Sequence, residues 1–138
     1  MDSKKTCEYL KMARKKRILI VDDDIVNLEI VAELLEDEYE IQTLESGEKA
    51  LETIRETYPD LVILDIMMPG ANGYEICKKI KADEQLKNIT VFLISAKAML
   101  KETKLGFEAG ADDYITKPFE HIALQERIKS HLNSGTHV

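Results

Sequence analysis

The 138-residue sequence has few of the features that mark membrane, secreted or disulfide-bonded proteins. It has two cysteines, Cys7 and Cys77, which are too few and too far apart to predict a disulfide scaffold or a zinc site. No apolar run approaches the roughly 20 residues of a membrane-spanning helix. The basic N-terminus lacks the apolar segment of a secretory signal peptide. We therefore expect a cytoplasmic protein in a reducing environment.

An excess of positive charge is also missing. The formal net charge is −7, which argues against direct nucleic-acid binding, because such binding depends on neutralising phosphates with Lys and Arg. A hydrophobic content of 44% and a charged content of 33% are typical of a globular protein, and the length suits one domain. We expect that domain at residues 17–133. Residues 1–16 are expected to form a basic tail or linker. The alternative for this segment is an amphipathic helix that contacts a membrane surface or an acidic partner. Residues 134–138 are expected to form a frayed tail.

From residue 17 onward, strand patterns alternate with helical patterns. Apolar runs at residues 18–21, 61–64 and 91–94 are typical of strands buried on both faces. Residues 39–44 alternate between polar and apolar, and residues 113–115 form a short fifth pattern, so both are expected at the edges. The sequence therefore predicts an α/β fold with a five-stranded parallel sheet in the order 2-1-3-4-5, flanked by five helices, as in flavodoxin-like doubly wound proteins.

The helices are marked by their apolar faces and by residues that end or begin them. Apolar residues recur at helical spacing in four segments: Leu28, Val31 and Leu35; Ala50, Leu51, Ile54 and Tyr58; Ile76, Cys77 and Ile80; Leu124, Ile128 and Leu132. A fourth helix in chain order, at residues 98–109, has a weak apolar pattern. Pro59 is expected to stop the second helix, Asn72 to cap the third, and Gly110 to end the fourth in a left-handed conformation.

Polar residues follow the strands at the edge of the sheet where ligands bind in this fold. They are Asp22 and Asp23 after the first strand, Asp65 after the third, Ser95 after the fourth and Lys117 after the fifth. Carboxylates about 5 Å apart repel by about 3 kcal/mol per pair at an effective dielectric near 20, so the acids are expected to bind protons or a cation. An all-oxygen site with an open position suits Mg²⁺. Asp24 is expected instead to cap the first helix.

Together these motifs resemble the receiver domains of two-component response regulators, including the single-domain chemotaxis regulators. The resemblance covers residues 17 to about 132. It rests on Ile-Val-Asp22-Asp23, Leu-Asp65-Ile-Met-Met-Pro69-Gly-Ala-Asn-Gly73, Ser95-Ala96 and Gly110-Ala-Asp-Asp-Tyr114-Ile-Thr-Lys117-Pro118-Phe119. It implies a regulatory phosphoacceptor rather than an enzyme. The phosphoryl donor would be a sensor histidine kinase or a histidine phosphotransfer protein, and the target a downstream protein or effector domain.

The resemblance also implies the roles of the acids. Asp65 resembles the phosphoacceptor, which would become an aspartyl phosphate. Asp23, Asp65 and the backbone carbonyl of Met67 resemble the direct Mg²⁺ ligands. Asp22 resembles the acid that holds a metal-bound water.

Further roles follow from the same resemblance. Lys117 would pair with Asp65 and then with the phosphoryl group, and its bond to Pro118 is cis in the family. Ser95 and Tyr114 resemble a switch pair that changes the face built from the fourth helix, fifth strand and fifth helix. A phosphorylation-dependent homodimer through that face is a further expectation. Lys97 stands where access to the phosphoryl group is set.

Three alternatives come from other classes. Asp22 and Asp24 match the D-x-D-x-V motif of haloacid-dehalogenase-type phosphatases, as nucleophile and general acid, but that interpretation leaves Asp65 without a role. A flavodoxin-like electron carrier shares the predicted fold, but the sequence lacks its phosphate loop, rich in Ser, Thr and Gly, after the first strand. An interaction module that keeps the fold without being phosphorylated is the third.

Overall fold

The computed structural model describes residues 15–68, 71–96 and 100–134. Predictions for residues 1–14, for Pro69 and Gly70, for Lys97, and for residues 135–138 lie outside the described residues. Ser134, the first residue of the predicted C-terminal tail, still belongs to the last helix.

Five parallel strands form the central sheet: β1 (Arg17–Val21), β2 (Glu40–Leu44), β3 (Leu61–Asp65), β4 (Thr90–Ser95) and β5 (Asp113–Thr116). Their order is β2-β1-β3-β4-β5, which confirms the predicted topology. The three central strands are buried almost throughout, while the edge strand β2 is exposed or half-buried along its length. Two-residue strands at Met67–Met68 and Ala71–Asn72 form a small antiparallel hairpin after β3, which the sequence did not predict.

In the described part of the chain, one α-helix follows each strand of the sheet: α1 (Ile25–Leu35), α2 (Ala50–Thr57), α3 (Gly73–Ala82), α4 (Leu100–Glu108) and α5 (His121–Ser134). A single 3-10 turn at Gly47–Lys49 leads into α2. Asn72 caps α3 as predicted, because its side chain accepts a hydrogen bond from the Tyr74 N–H. Gly110 has the expected left-handed conformation, with φ of 96°.

The sequence predicts Tyr58 on the apolar face of α2, and this prediction is wrong. Tyr58 lies beyond the helix, at a left-handed φ of 46°, and its side chain is 49% exposed. The following Pro59 explains this, because a residue before proline is disfavoured from the α-helical conformation. The helix therefore ends at Thr57, one residue before the last predicted apolar position.

The core consists of two apolar layers, one on each face of the sheet. Side chains of α1 and α5 pack on one face, and those of α2 and α3 on the other. Neighbouring strand residues alternate between the two layers, as in Leu19 and Ile20. Full burial of each Leu or Ile contributes about 1.5–3 kcal/mol, so the layers hold the strand ends in fixed register.

Cys77 belongs to the second of these layers. Its side chain is fully buried, and burial raises the pKa of its thiol to about 11. Its burial confirms the expected packing position on α3, and a thiol with a raised pKa is a poor nucleophile. Among the described residues, no helix combines the length and apolar content that crossing a bilayer requires.

Candidate functional site

Three acids meet at the carboxyl ends of β1 and β3. Asp22 directly follows β1 and Asp65 is the last residue of β3, and their side chains are almost fully buried. Asp23 is exposed beside them. One carboxylate oxygen from each of the three residues lies within 4.8 Å of the other two. The pairing of Val21 with Leu64 aligns the ends of the two strands and brings the acids together.

A lysine from the far edge of the sheet completes this acidic site. The Lys117 ammonium lies 3.1 Å from Asp22 Oδ2 and 3.1 Å from Asp65 Oδ2. Its backbone N–H donates to the Ser95 carbonyl at 2.7 Å, and the bond to Pro118 is cis. Burial alone lowers the pKa of Lys117, but hydrogen bonds to the two acids outweigh burial and raise it. The lysine is therefore charged and partly neutralises the site.

Asp22 is surrounded by hydrogen-bond donors. Its Oδ1 accepts the backbone N–H of Asp24 at 3.0 Å, and its Oδ2 accepts the side-chain amide of Asn27 at 2.5 Å in addition to Lys117. Burial acts to raise the pKa of Asp22, but these bonds and one shared with Asp65 lower it overall. The negative charge of the buried pair is therefore held preferentially on Asp22.

Asp65 accepts hydrogen bonds from fewer donors than Asp22 among the described residues. Its Oδ1 accepts the Met67 N–H at 3.0 Å, and its Oδ2 accepts the shared Lys117. Burial, followed by the neighbouring Asp22, raises the pKa of Asp65 to about 6. A carboxylate that is buried, weakly solvated and still ionised near neutral pH can act as a nucleophile toward an electrophile that enters the site.

Asp24 lies in the same turn but has a different function. Its Oδ1 accepts the backbone N–H groups of Val26 and Asn27, so it caps α1 as predicted. The general acid that a phosphatase mechanism requires at this position is thus engaged at the start of a helix.

The predicted switch residues, Ser95 and Tyr114, lie buried in the two strands that follow β3 in the sheet. Ser95 ends β4 and is 1% exposed, and Tyr114 in β5 is 6% exposed. The Tyr114 ring points into the protein and packs against Gly106 of α4. The structure thereby brings Asp22, Asp23, Asp65 and Lys117 together, and it buries Ser95 and Tyr114 in the two neighbouring strands on the Lys117 side of the sheet.

Sequence reasoning missed two residues around the acids. Asn27 was not assigned, although the third residue of a helix is a position from which a side chain can reach back past the cap. The sequence indicates Gly73 only as the last residue of a turn motif. A β-carbon at Gly73 would lie 2.7 Å from the Asp65 carbonyl oxygen, so this glycine lets α3 begin directly against the end of β3.

Comparison with known protein families matches residues 18–129 to the response regulator receiver domain. The chain belongs to this family. It is 39% identical over 119 residues to the DNA-binding response regulator MtrA of Mycobacterium tuberculosis H37Rv, an alignment that covers 86% of this chain and 51% of MtrA. It is 38% identical over 115 residues to the response regulator PleD of Caulobacter vibrioides, covering 83% of this chain and 25% of PleD. The chain spans about half the length of the MtrA proteins, or less in the case of PleD.

Solved receiver structures have the same fold. The BeF3-activated receiver domain of DrrB superposes with a TM-score of 0.79 at 38% identity, covering 86% of this chain and 98% of that one. The chemotaxis response regulator CheY4 of Vibrio cholerae superposes with a TM-score of 0.78 at 27% identity, covering 83% and 97%.

Membership in this family establishes the general function of the chain. The chain is a receiver domain of the two-component response regulators, and it acts as a phosphoacceptor switch in signal transduction. Receiver domains bind Mg²⁺ at an acidic pocket. The acids here fit that ion, because Mg²⁺ prefers carboxylate oxygens and the site offers one from each of three aspartates. The phosphatase interpretation is not favoured.

Proposed function

We propose that Asp65 is the residue that accepts the phosphoryl group from a histidine kinase or a histidine phosphotransfer protein. One observation carries this assignment: the Lys117 ammonium is shared equally, at 3.1 Å, between Asp65 and Asp22. A cation in that place supports an ionised Asp65 before transfer, and it remains next to the site where phosphoryl oxygens would arrive.

The transfer itself needs little covalent chemistry from the protein. A carboxylate oxygen of Asp65 attacks the phosphorus of the phosphohistidine, and the phosphorus–nitrogen bond breaks with its electron pair leaving on the imidazole. The product is an aspartyl phosphate. Lys117 can then exchange its bond to Asp65 for one to a phosphoryl oxygen, and the Ser95 hydroxyl can donate to another. Such reactions depend mainly on positioning and on charge neutralisation.

We assign the metal ligands to the same acids. Asp23, Asp65 and the backbone carbonyl of Met67 would hold Mg²⁺ directly, and Asp22 would hold it through a water molecule. When bound, the ion would neutralise charge on the phosphoryl oxygens. The close approach of the three carboxylates supports this assignment, since they repel one another without a cation.

The output would be carried by Ser95 and Tyr114. Engagement of the Ser95 hydroxyl by the phosphoryl group would change the position of the Tyr114 ring, and with it the face formed by α4, β5 and α5. We propose that this face binds a downstream protein, an effector domain or a second phosphorylated copy, without itself binding nucleic acid. In this role the domain is a regulator that assists its own phosphorylation and dephosphorylation rather than an enzyme acting on a separate substrate.

Labelling with a small phosphodonor tests the proposal. Wild-type protein incubated with acetyl phosphate and Mg²⁺ should gain one phosphoryl group by intact mass, and Asp65→Asn should gain none. Glu48→Gln, at an exposed acid outside the site, is the control and should label like wild type. Stoichiometric labelling of Asp65→Asn would overturn the assignment, whereas unlabelled wild type would leave an interaction module that is not phosphorylated. A sizing column run on the same samples tests the homodimer.

A further inference from the structure

Groups at the start of α1 donate hydrogen bonds to both carboxylate oxygens of Asp22. The Asp24 backbone N–H donates to Oδ1 at 3.0 Å, and the Asn27 side-chain amide donates to Oδ2 at 2.5 Å. Both donors belong to one turn, which Asp24 holds by capping the N–H groups of Val26 and Asn27. The orientation of the Asp22 carboxylate therefore depends on two donors, a backbone N–H at Oδ1 and the Asn27 side chain at Oδ2.

These hydrogen bonds to Asp22 influence how Lys117 is shared between Asp22 and Asp65. Asp22 and Asp65 are both buried, and one ammonium lies 3.1 Å from each. A buried carboxylate without enough donors is strongly unfavourable, so Asp22 would draw the lysine toward itself if its other donor to Oδ2 were lost. The amide of Asn27 supplies that donor and needs no charge of its own.

We propose that Asn27 is a positioning residue of the acidic site: its side-chain amide holds Asp22 in place and leaves Lys117 available to Asp65. The proposal rests on the assignment of Asp22 and Asp65 to the metal and phosphoryl site. In this role Asn27 acts through Asp22 and is not itself a metal ligand.

The expected size of the effect follows from side chains that play a similar part elsewhere. Removing a residue that orients a metal ligand typically weakens metal binding about 10- to 100-fold. Asp22 would hold the metal through water, so we expect the lower end of that range. Without Asn27 the Asp22 carboxylate is free to turn toward Lys117 and away from the water it should hold.

Calorimetric titration with MgCl₂ at pH 7.5 tests the proposal on the full chain. Asn27→Leu keeps approximately the size of the side chain but removes its donor, and Asn27→Ala removes both. We expect both variants to bind Mg²⁺ about tenfold more weakly than wild type. Val26→Ala is the matched control, because Val26 lies in the same turn with its side chain 65% exposed, and its affinity should equal that of wild type.

The affinity for Mg²⁺ also separates positioning from a general loss of stability. Urea denaturation in EDTA identifies the conditions in which each variant is fully folded, and the affinity of a fully folded protein does not depend on its margin of stability. Wild-type affinity in a folded Asn27→Leu would overturn the proposal, even if that variant is less stable. Absence of Mg²⁺ binding by wild type would instead overturn the proposed metal site, and the role of Asn27 with it.

Discussion

The ring of Tyr114 lies so close to Gly106 that a β-carbon on the glycine would approach ring atom Cδ2 to 2.7 Å. Carbon atoms do not pack at that distance, so any side chain at Gly106 must displace the ring. Tyr114 is 6% exposed in this position. The glycine of α4 therefore provides the space that the ring from β5 occupies, and it connects two elements of the proposed output face.

Replacing Gly106 by alanine tests this contact. Overpacking typically destabilises by about 1–3 kcal/mol, and the gain in helix propensity offsets about 1 kcal/mol of that. We expect Gly106→Ala to lower the free energy of unfolding by about 1 kcal/mol in wild type. In a Tyr114→Ala background the same substitution should stabilise by up to about 1 kcal/mol. Urea denaturation measures both values, and an equal effect in the two backgrounds would contradict the contact.

The fold was predictable because buried parallel strands allow very few polar residues. The runs at 18–21, 61–64 and 91–94 have no other suitable place than the centre of a sheet. The ends of these runs then predicted the candidate site, because each run is followed directly by one of its polar residues: Asp22, Asp65 and Ser95. The hairpin at Met67–Met68 could not be predicted in this way, since two-residue strands have no periodicity to detect.

The contacts around the acids were less accessible to sequence reasoning. The bond between Asn27 and Asp22 depends on how α1 leaves the sheet, which neither composition nor spacing specifies. The division of charge between Asp22 and Asp65 depends on the same donors. The sequence shows that acids converge, but the positions of their hydrogen-bond donors decide which of them holds a proton more tightly.

Loss of the Asp65 proton should make the metal-free protein less stable as the pH rises. The pKa of Asp65 is raised to about 6 in the folded state, from about 3.9 in an unfolded chain. Between these values the folded state binds more protons, so the free energy of unfolding falls as the pH rises and the full loss is present above about pH 6.

The comparison with Asp65→Asn isolates this contribution, because the lowered pKa of Asp22 acts in the opposite direction and at lower pH. In EDTA the variant should be more stable than wild type at pH 7. Its advantage should be about 2 kcal/mol larger at pH 7 than at pH 4.5. Urea denaturation at the two pH values measures the difference, and a constant advantage would show that Asp65 does not titrate in this range.

Loss of Lys117 should destabilise the protein, because Asp22 and Asp65 would then repel each other without a neutralising charge. Lys117→Met removes the ammonium that two buried acids share, and breaking a buried pair typically costs about 3–5 kcal/mol. Lys87→Met is the control, because Lys87 pairs with Glu84 on the surface and such pairs contribute less than about 1 kcal/mol. Urea denaturation at pH 7 in EDTA compares them. If the two substitutions cost the same, the lysine does not stabilise the acids.

A side chain at Gly73 should displace the backbone that carries Asp65. A β-carbon there would lie 2.7 Å from the Asp65 carbonyl oxygen and 2.9 Å from the α-carbon of Ile66. Both are backbone atoms at the end of β3, so neither can turn away as the Tyr114 ring can. Gly73→Ala should therefore destabilise by about 3 kcal/mol, more than Gly106→Ala.

The same displacement should slow the proposed phosphorylation of Asp65. A misplacement of about 1 Å can cost up to about 100-fold in rate, and we expect the rate of labelling by acetyl phosphate to fall at least about tenfold in folded Gly73→Ala. Rates are measured by intact mass in the presence of saturating Mg²⁺, at a temperature where urea denaturation shows the variant to be folded. A wild-type rate would mean that α3 can move away without shifting Asp65, and that Gly73 serves the packing of the helix alone.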